Sequence, residues 1–133
     1  MSTPPEFELL TLSMVDDVAV VQVTTHELRF PNQAQALSYE LGLVVVQDWA
    51  AKTLIDLSRV VYIGSTAYAA LVGTVKRAAE MGHVVKFCGL QEEVRIGADI
   101  IGLDTIADIF PHEADALASF AAPTTDATPG FAS

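Results

Sequence analysis

Residues 54–71 read LIDLSRVVYIGSTAYAAL, and this stretch contains the change of pattern that decides the fold. Its first part is apolar and β-branched over Thr53 to Leu57 and Val60 to Ile63, which predicts a buried strand. Its second part opens a predicted helix, Ser65 to Met81, whose apolar residues share one face: Tyr68, Leu71, Val75 and Ala78. A strand that leads directly into an amphipathic helix is typical of an α/β unit, in which the next strand runs parallel through a right-handed crossover.

The alternation of strand and helix continues toward the C-terminus. Gly82 stands where a left-handed helix cap is expected, and Gly102 does the same for a later helix. The pattern predicts the following elements: a strand over His83 to Cys88, a helix over Gln91 to Ile101, a short strand over Ile106 to Phe110 and a short helix over Glu113 to Phe120.

The N-terminal half predicts a pair of antiparallel strands at the start of the sheet. The β-rich runs Phe7 to Val15 and Val18 to Thr24 flank Asp16-Asp17, which suits a tight turn. A helix face then follows: Ala34, Leu37, Leu41, Val45 and Trp49. We therefore predict one α/β domain over residues 7–120, with a mixed β-sheet and about four helices packed against it. Residues 1–6 and 121–133 are predicted to be a flexible N-terminus and a disordered C-terminal tail, since neither has an apolar period.

Charge and composition exclude several classes of function. The 133 residues carry 7 basic and 17 acidic side chains, a formal charge of −10, which disfavours direct contact with nucleic acid or an anionic membrane. The single Cys88 rules out an internal disulfide, and no apolar run reaches the length of a membrane span. Met1 to Glu8 has no signal-peptide pattern. We expect a cytoplasmic protein.

The best-placed candidates for chemistry are Ser65 and Thr66, at the step from strand to helix. The unpaired N–H groups and partial positive charge of a helix N-terminus stabilise an anion or a phosphorylated hydroxyl. The alternative is that one of these hydroxyls is simply the N-cap of the helix.

The remaining polar residues have structural explanations. The acids Asp16, Asp17, Asp56, Glu92 and Glu93 fit a turn, a strand and a helix start, so they predict no catalytic pair. The three histidines lack metal-ligand spacing, and the glycines fit no nucleotide-binding motif. The sequence therefore favours a small binding or regulatory module over an enzyme, with no cofactor and no metal.

Three segments, in this order, resemble a STAS domain, the domain of bacterial anti-sigma factor antagonists. They are residues 54–71, Gly82 with the apolar strand after it, and residues 101–110, IGLDTIADIF. The resemblance extends over about Phe7 to Phe120 and implies a phosphorylation switch. In the family, an unphosphorylated antagonist binds an anti-sigma factor that is also a serine kinase of the histidine-kinase-like ATPase type. Phosphorylation at the N-terminus of the helix after the central strand breaks the complex, and a phosphatase restores it.

The family pattern at that helix is Asp-Ser-Ser/Thr-Gly, and this sequence has Gly64-Ser65-Thr66-Ala67. Ser65 therefore matches the phosphate acceptor and Thr66 is the lesser candidate. The resemblance further implies that Gly64, Ala67 and Tyr68 contact the phosphate or the partner.

The chain departs from the family pattern at two acids. Gly64 replaces the acid before the acceptor, and the early Thr-Gly-x-Leu-Asp segment is Thr25-His26-Glu27-Leu28-Arg29, so that an acid has become Arg29. Two alternatives follow. Arg29 holds phosphoserine within the same chain, or the switch is lost and the protein binds its partner constitutively.

Three functions are thus considered. The first is a phospho-regulated antagonist of an anti-sigma kinase, a cytoplasmic bacterial regulator of transcription that exists as a monomer or weak dimer. The second is a non-switching STAS scaffold in a larger signalling assembly. The third, an enzyme or small-ligand sensor, has the least support in the residues.

Overall fold

The computed structural model describes residues 7–121. The predicted flexible N-terminus, residues 1–6, lies outside this range. So does the predicted C-terminal tail, except for Ala121, which ends the last helix.

Within residues 7–121, seven strands form two sheets. The strands are β1 (Leu10–Val15), β2 (Val18–Val23), β3 (Glu27–Leu28), β4 (Lys52–Asp56), β5 (Tyr62–Ile63), β6 (Val84–Cys88) and β7 (Ile109–Phe110). The main sheet has the order β1-β2-β4-β6-β7, in which only the β1–β2 pair is antiparallel. Strands β3 and β5 form a separate parallel pair. The mixed sheet with its antiparallel entry is therefore confirmed.

The hairpin at the entry is closed by two residues, Asp16 and Asp17. Asp16 has a φ of +55°, a left-handed conformation that aspartate tolerates better than most residues. This turn fixes the register of the hairpin, with Val15 opposite Val18 and Leu10 opposite Val23.

The described part of the chain also has five α-helices and one 3-10 turn. They are α1 (Pro31–Val45), the 3-10 turn (Asp48–Ala50), α2 (Ser65–Glu80), α3 (Glu92–Ile100), α4 (Leu103–Ile106) and α5 (Glu113–Ala121). Helices α1 to α4 contribute to the main core on one face of the sheet, and α5 covers the other face with Ala116 and Phe120. Gly82 and Gly102 follow helices with φ of +75° and +78°, which confirms both predicted caps.

Three predicted elements need correction. Helix α1 ends at Val45, after which Gln47 turns the chain and donates its side-chain amide to the Leu43 carbonyl at 3.0 Å. Trp49 therefore leaves the helical face, and it is 46% exposed in the 3-10 turn. The β-branched residues at the end of α1 favour this termination because their side chains lose rotamer freedom in a helix.

The predicted strand from Thr53 to Ile63 is two strands. A turn at residues 58–59 interrupts it, and β5 then leaves the main sheet to pair with β3. The predicted strand from Ile106 to Phe110 begins only at Ile109, because residues 103–106 form α4. That short helix raises the number of α-helices from about four to five.

Candidate functional site

The β3–β5 pair brings the two candidate segments together at the start of α2. Glu27 lies opposite Tyr62 and Leu28 opposite Ile63. The pairing continues as the Val61 N–H donates to the His26 carbonyl at 2.7 Å and the Gly64 N–H donates to the Leu28 carbonyl at 2.8 Å. As a result, the backbone of residues 25–29 runs directly beside the residues that precede Ser65.

Ser65 is the first residue of α2, and the N-cap is Gly64 in extended conformation. The alternative reading of Ser65 or Thr66 as the cap is therefore wrong. The Gly64 carbonyl accepts the first hydrogen bonds of the helix, from the N–H groups of Ala67 and Tyr68 at 3.1 and 3.0 Å. Within residues 7–121, the N–H groups of Ser65 and Thr66 have no acceptor. Both hydroxyl-bearing side chains are exposed, and neither makes a capping hydrogen bond. This helix start thus offers two free donors and two free hydroxyls to solvent.

The backbone at Gly64 could accommodate an acidic residue, as in the family pattern described above. Its φ of −80° is available to any residue. A Cβ built there would meet the Leu28 and Arg29 carbonyl oxygens at 3.4 and 3.6 Å, which is ordinary van der Waals contact. The absence of the acid is therefore not imposed by the backbone.

Arg29 follows β3 at the same end of the molecule as Ser65. Its Nε donates to Glu27 Oε1 at 3.0 Å, and its guanidinium carbon lies 4.3 Å from the centre of the Tyr62 ring. Each partner of this ion pair favours the charged form of the other, so that the pKa of Glu27 is lowered and the pKa of Arg29 is raised. Among residues 7–121, no acceptor bonds to the two terminal nitrogens of Arg29. These nitrogens are the ones suited to a bidentate contact with phosphate.

Gln33 holds the loop that carries Arg29. Its side-chain oxygen accepts the N–H groups of Arg29 and Phe30 at 2.7 and 2.9 Å, and its amide nitrogen donates to the Glu27 carbonyl at 3.1 Å. Glu27, Gln33 and Tyr62 were not among the predicted site residues. A pattern that could have found Gln33 is Pro31 followed by a glutamine in the first turn, which is a signature of helix starts.

Ala67 and Tyr68, which were predicted to contact the phosphate or the partner, are 1% and 7% exposed. Both side chains pack in the core and support the helix start from inside. Ala67 is too buried to contact phosphate or a partner, whereas Tyr68 also lines a neighbouring groove, so that its contact with a partner stays a prediction. The Tyr68 hydroxyl donates to the Val94 carbonyl of α3 at 2.8 Å, and Gly97 leaves room for the tyrosine ring.

An apolar groove of about 260 Å³ lies between α3 and the β5 segment, beside the Arg29–Tyr62 contact. Its exposed hydrophobic side chains include Ile96, at 53%, and Ile100, at 79%. The groove is lined by Val61, Tyr62, Ile63, Tyr68, Glu93, Val94, Ile96, Gly97 and Ile100.

The other titratable residues do not form a second site. Asp56 is buried and accepts the Ser58 N–H at 2.8 Å, which ties down the turn after β4. Burial raises the pKa of Cys88 to about 12, so that its thiol behaves as a small apolar group. In the described part of the chain, no three His, Cys, Asp or Glu side chains are grouped to hold a metal ion. None of its helices is long and apolar enough to cross a membrane.

Comparison with known proteins gives a family and a set of similar structures. The STAS domain family matches residues 16–116. No curated protein matches the chain. An anti-sigma factor antagonist from Mycobacterium paratuberculosis has 26% identity and a TM-score of 0.74, with 85% of this chain and 93% of that one covered.

Two further proteins, represented by three structures, are less similar in sequence and show likeness of fold. An anti-sigma-factor antagonist (STAS) domain protein from Planctomyces limnophilus has 18% identity and a TM-score of 0.72, over 85% of this chain and 98% of the other. SpoIIAA of Bacillus, an anti-sigma factor antagonist, matches in its unphosphorylated and phosphorylated forms. The two forms have 11% and 13% identity and a TM-score of 0.64, over 86% and 84% of this chain and 99% and 98% of SpoIIAA.

Proposed function

The chain belongs to the STAS domain family, and on that premise we propose that it is a phosphorylation-switched antagonist of an anti-sigma factor that is also a serine kinase. The protein acts by binding and has no enzymatic activity of its own. In the unmodified form it binds the kinase, which is of the histidine-kinase-like ATPase type, and the sigma factor is released. Phosphorylation ends this binding, and a phosphatase restores it. The proposal places the protein in the bacterial cytoplasm as a regulator of transcription that does not itself touch DNA.

The observation that carries this proposal is the state of Ser65. Its hydroxyl is exposed at the first position of α2 and makes no capping bond, so it is open to a kinase. A phosphate on this hydroxyl would add about −1.5 to −2 charge beside the partial positive charge of a 16-residue helix. The free N–H groups of Ser65 and Thr66 lie at the same helix start. Thr66 is the lesser acceptor because it lies one residue further into the helix, although it is also exposed.

Arg29 gives the switch a second component. The Arg29 backbone lies beside Gly64, the residue before Ser65, and its guanidinium is held by Glu27 and Tyr62. Since only Nε of Arg29 is bonded to Glu27, the two terminal nitrogens remain to bind phosphate oxygens. The contact surface for the kinase then comprises Arg29, Gly64 and the two hydroxyls, with the neighbouring apolar groove as its hydrophobic part.

A labelling experiment with matched variants tests the proposal. Wild type, Ser65→Ala and Thr66→Ala are incubated with ATP and purified serine kinases of the histidine-kinase-like ATPase type. Phosphate incorporation is measured by mass spectrometry, and complex formation with the kinase is measured in parallel. We expect Ser65→Ala to lose the label and to keep the complex, whereas Thr66→Ala is labelled normally. Both variants should stay folded, since an exposed residue without a hydrogen bond changes stability by no more than about 0.5 kcal/mol.

Full labelling of Ser65→Ala would place the acceptor elsewhere, first at Thr66. The second candidate function, a non-switching STAS scaffold, is favoured by the loss of two family acids at Gly64 and Arg29. It predicts that none of the three proteins is labelled and that the complex with the partner is insensitive to ATP. The variant Gly64→Asp separates the two functions further, because the backbone accommodates it. If the missing acid is what abolishes phosphorylation, this variant gains the label that wild type lacks.

A further inference from the structure

The outer edge of β1 is unpaired in the described part of the chain. Strand β1 is the first strand of the main sheet and pairs only with β2. Its four central residues, Thr11 to Met14, are all exposed. An edge of this kind presents a row of free backbone N–H and C=O groups, which can template pairing with another strand.

The register of the hairpin determines which backbone groups are free. The Thr24 N–H donates to the Leu9 carbonyl at 2.8 Å, so residues 9 and 24 are a hydrogen-bonded pair. Hydrogen-bonded and non-hydrogen-bonded pairs alternate along an antiparallel ladder. Thr11 and Ser13 therefore bond to β2, whereas the N–H and C=O groups of Leu10, Leu12 and Met14 point away from the sheet. These three residues are spaced symmetrically about Leu12, so the free edge is complementary to itself.

The strand carries none of the usual protection against edge pairing. Its sequence, LTLSMV, contains no charge and no proline, and Leu12 and Met14 are 38% and 48% exposed. Natural edges are commonly blocked by lysine, proline, a bulge or a covering element. In residues 7–121, no element other than β2 pairs with this edge.

We propose that two copies of this chain associate by antiparallel pairing of their β1 strands across a two-fold axis at Leu12. In this arrangement Leu12 faces Leu12 of the second copy, and Leu10 faces Met14. The groups that point outward in one copy meet those of the other, and the two main sheets become continuous. The interface is isologous and independent of Ser65, which is on another element.

The area and the charges at the ends of the pairing determine its strength. Two six-residue edges bury less than about 1,200 Å², which is the range of weak and transient association. The same register places Glu8 of one copy opposite Asp16 of the other. Like charges directly opposite each other are unfavourable, and salt screens them. The dimer is therefore weak, concentration-dependent and strengthened by salt.

Analytical ultracentrifugation of the full chain tests the association, and charged variants at Leu12 test the two-fold symmetry. We expect the mass to rise from 14.2 kDa toward twice that value as protein concentration approaches about 1 mM, and to rise further in high salt. Leu12→Lys and Leu12→Glu should each remain monomeric, because each puts like charges on the two-fold axis. An equimolar mixture of the two variants should recover the dimer. Circular dichroism confirms that each variant is folded.

Cysteine pairing tests the register. In the proposed dimer Thr11 of one copy lies opposite Ser13 of the other as a non-hydrogen-bonded pair, in which Cα atoms are about 4.5 Å apart. A mixture of Thr11→Cys and Ser13→Cys should therefore form a disulfide under mild oxidation, while each variant alone should not. Wild type is the control for Cys88, which is buried. A wild-type mass that stays at one chain, self-association of Leu12→Lys equal to wild type, or no excess of the mixed disulfide would each overturn the proposal.

Discussion

The contact between Tyr68 of α2 and Gly97 of α3 gives the sharpest prediction about what holds these two helices together. A Cβ at Gly97 would overlap the Tyr68 hydroxyl and would lie 2.6 and 2.9 Å from two carbons of its ring. The ring cannot easily move aside, since it is 7% exposed and its hydroxyl is bonded to the Val94 carbonyl. Gly97→Ala must therefore displace α3 from α2 or break this hydrogen bond.

The expected change in the free energy of unfolding of Gly97→Ala is the difference between two opposing effects. Overpacking of a well-packed contact costs about 1–3 kcal/mol, and a lost buried hydrogen bond falls in the same range. In the opposite direction, replacing a helical glycine with alanine stabilises the helix by about 0.5–1 kcal/mol. We expect Gly97→Ala to lower the free energy of unfolding by about 1–2 kcal/mol.

Gly73 in α2 is the matched control. It is exposed, and a Cβ there meets nothing within 4 Å. Gly73→Ala should raise the free energy of unfolding by about 0.5–1 kcal/mol, through helix propensity alone. Urea denaturation followed by circular dichroism gives both values from the shift in midpoint. If Gly97→Ala stabilised the protein as much as Gly73→Ala does, the described packing of α3 on Tyr68 would be incorrect.

Three further predictions concern buried and charged groups. The Cys88 thiol, with a pKa of about 12, should react with a disulfide reagent at pH 8 only as fast as the protein unfolds, whereas rapid labelling of native protein would contradict its burial. Glu40 is 6% exposed and accepts the N–H groups of residues 8–9 at 3.0 Å each, so Glu40→Ala should lower the free energy of unfolding by about 1–3 kcal/mol, with Glu40→Gln losing less. Phosphorylation should raise the melting temperature because Arg29 binds the phosphate, and the increase should be larger in low salt than in high salt. An equal increase in Arg29→Ala would show that Arg29 does not bind the phosphate.

The parts of the fold that could be predicted are those with a local periodicity. Strands β2, β4 and β6 and helix α2 are long enough for an apolar pattern of period two or 3.6 to be visible in the sequence. Strands β3 and β5 have two residues each, which is too short for any pattern. Their existence depends on pairing across more than thirty positions of the chain, and Tyr62 enters the site only through that pairing.

The candidate site likewise has parts that local sequence predicts and parts that depend on tertiary structure. A strand–glycine–serine step identifies the exposed start of α2 from local sequence alone, and the STAS resemblance connects Arg29 to it. The Glu27 and Gln33 contacts that orient Arg29 are set by tertiary geometry, in which a side chain of α1 reaches back to residues 27–30. Gly64 as the N-cap was missed because serine and threonine are stronger cap residues than glycine. Because Gly64 is the N-cap, the hydroxyls of Ser65 and Thr66 make no capping hydrogen bond. A serine or threonine cap would have used its hydroxyl in such a bond.

The two departures from the family pattern act together on the electrostatics of the switch. With Gly64 and Arg29 in place of acids, the described surface at the start of α2 has the Arg29–Glu27 ion pair beside a neutral hydroxyl, although the chain as a whole carries a charge of −10. Under the proposed function, a phosphate at Ser65 would bind the terminal nitrogens of Arg29 instead of adding to a pair of acids. Under the same proposal, release of the partner would follow from the loss of Arg29 as a donor and from the occupied helix N-terminus, more than from repulsion. On this reasoning the partner presents an acidic side chain to Arg29. Arg29→Asp should therefore weaken the unmodified complex, and exchange of the partner's acid for arginine should restore it, which is measured as binding in a double-mutant cycle.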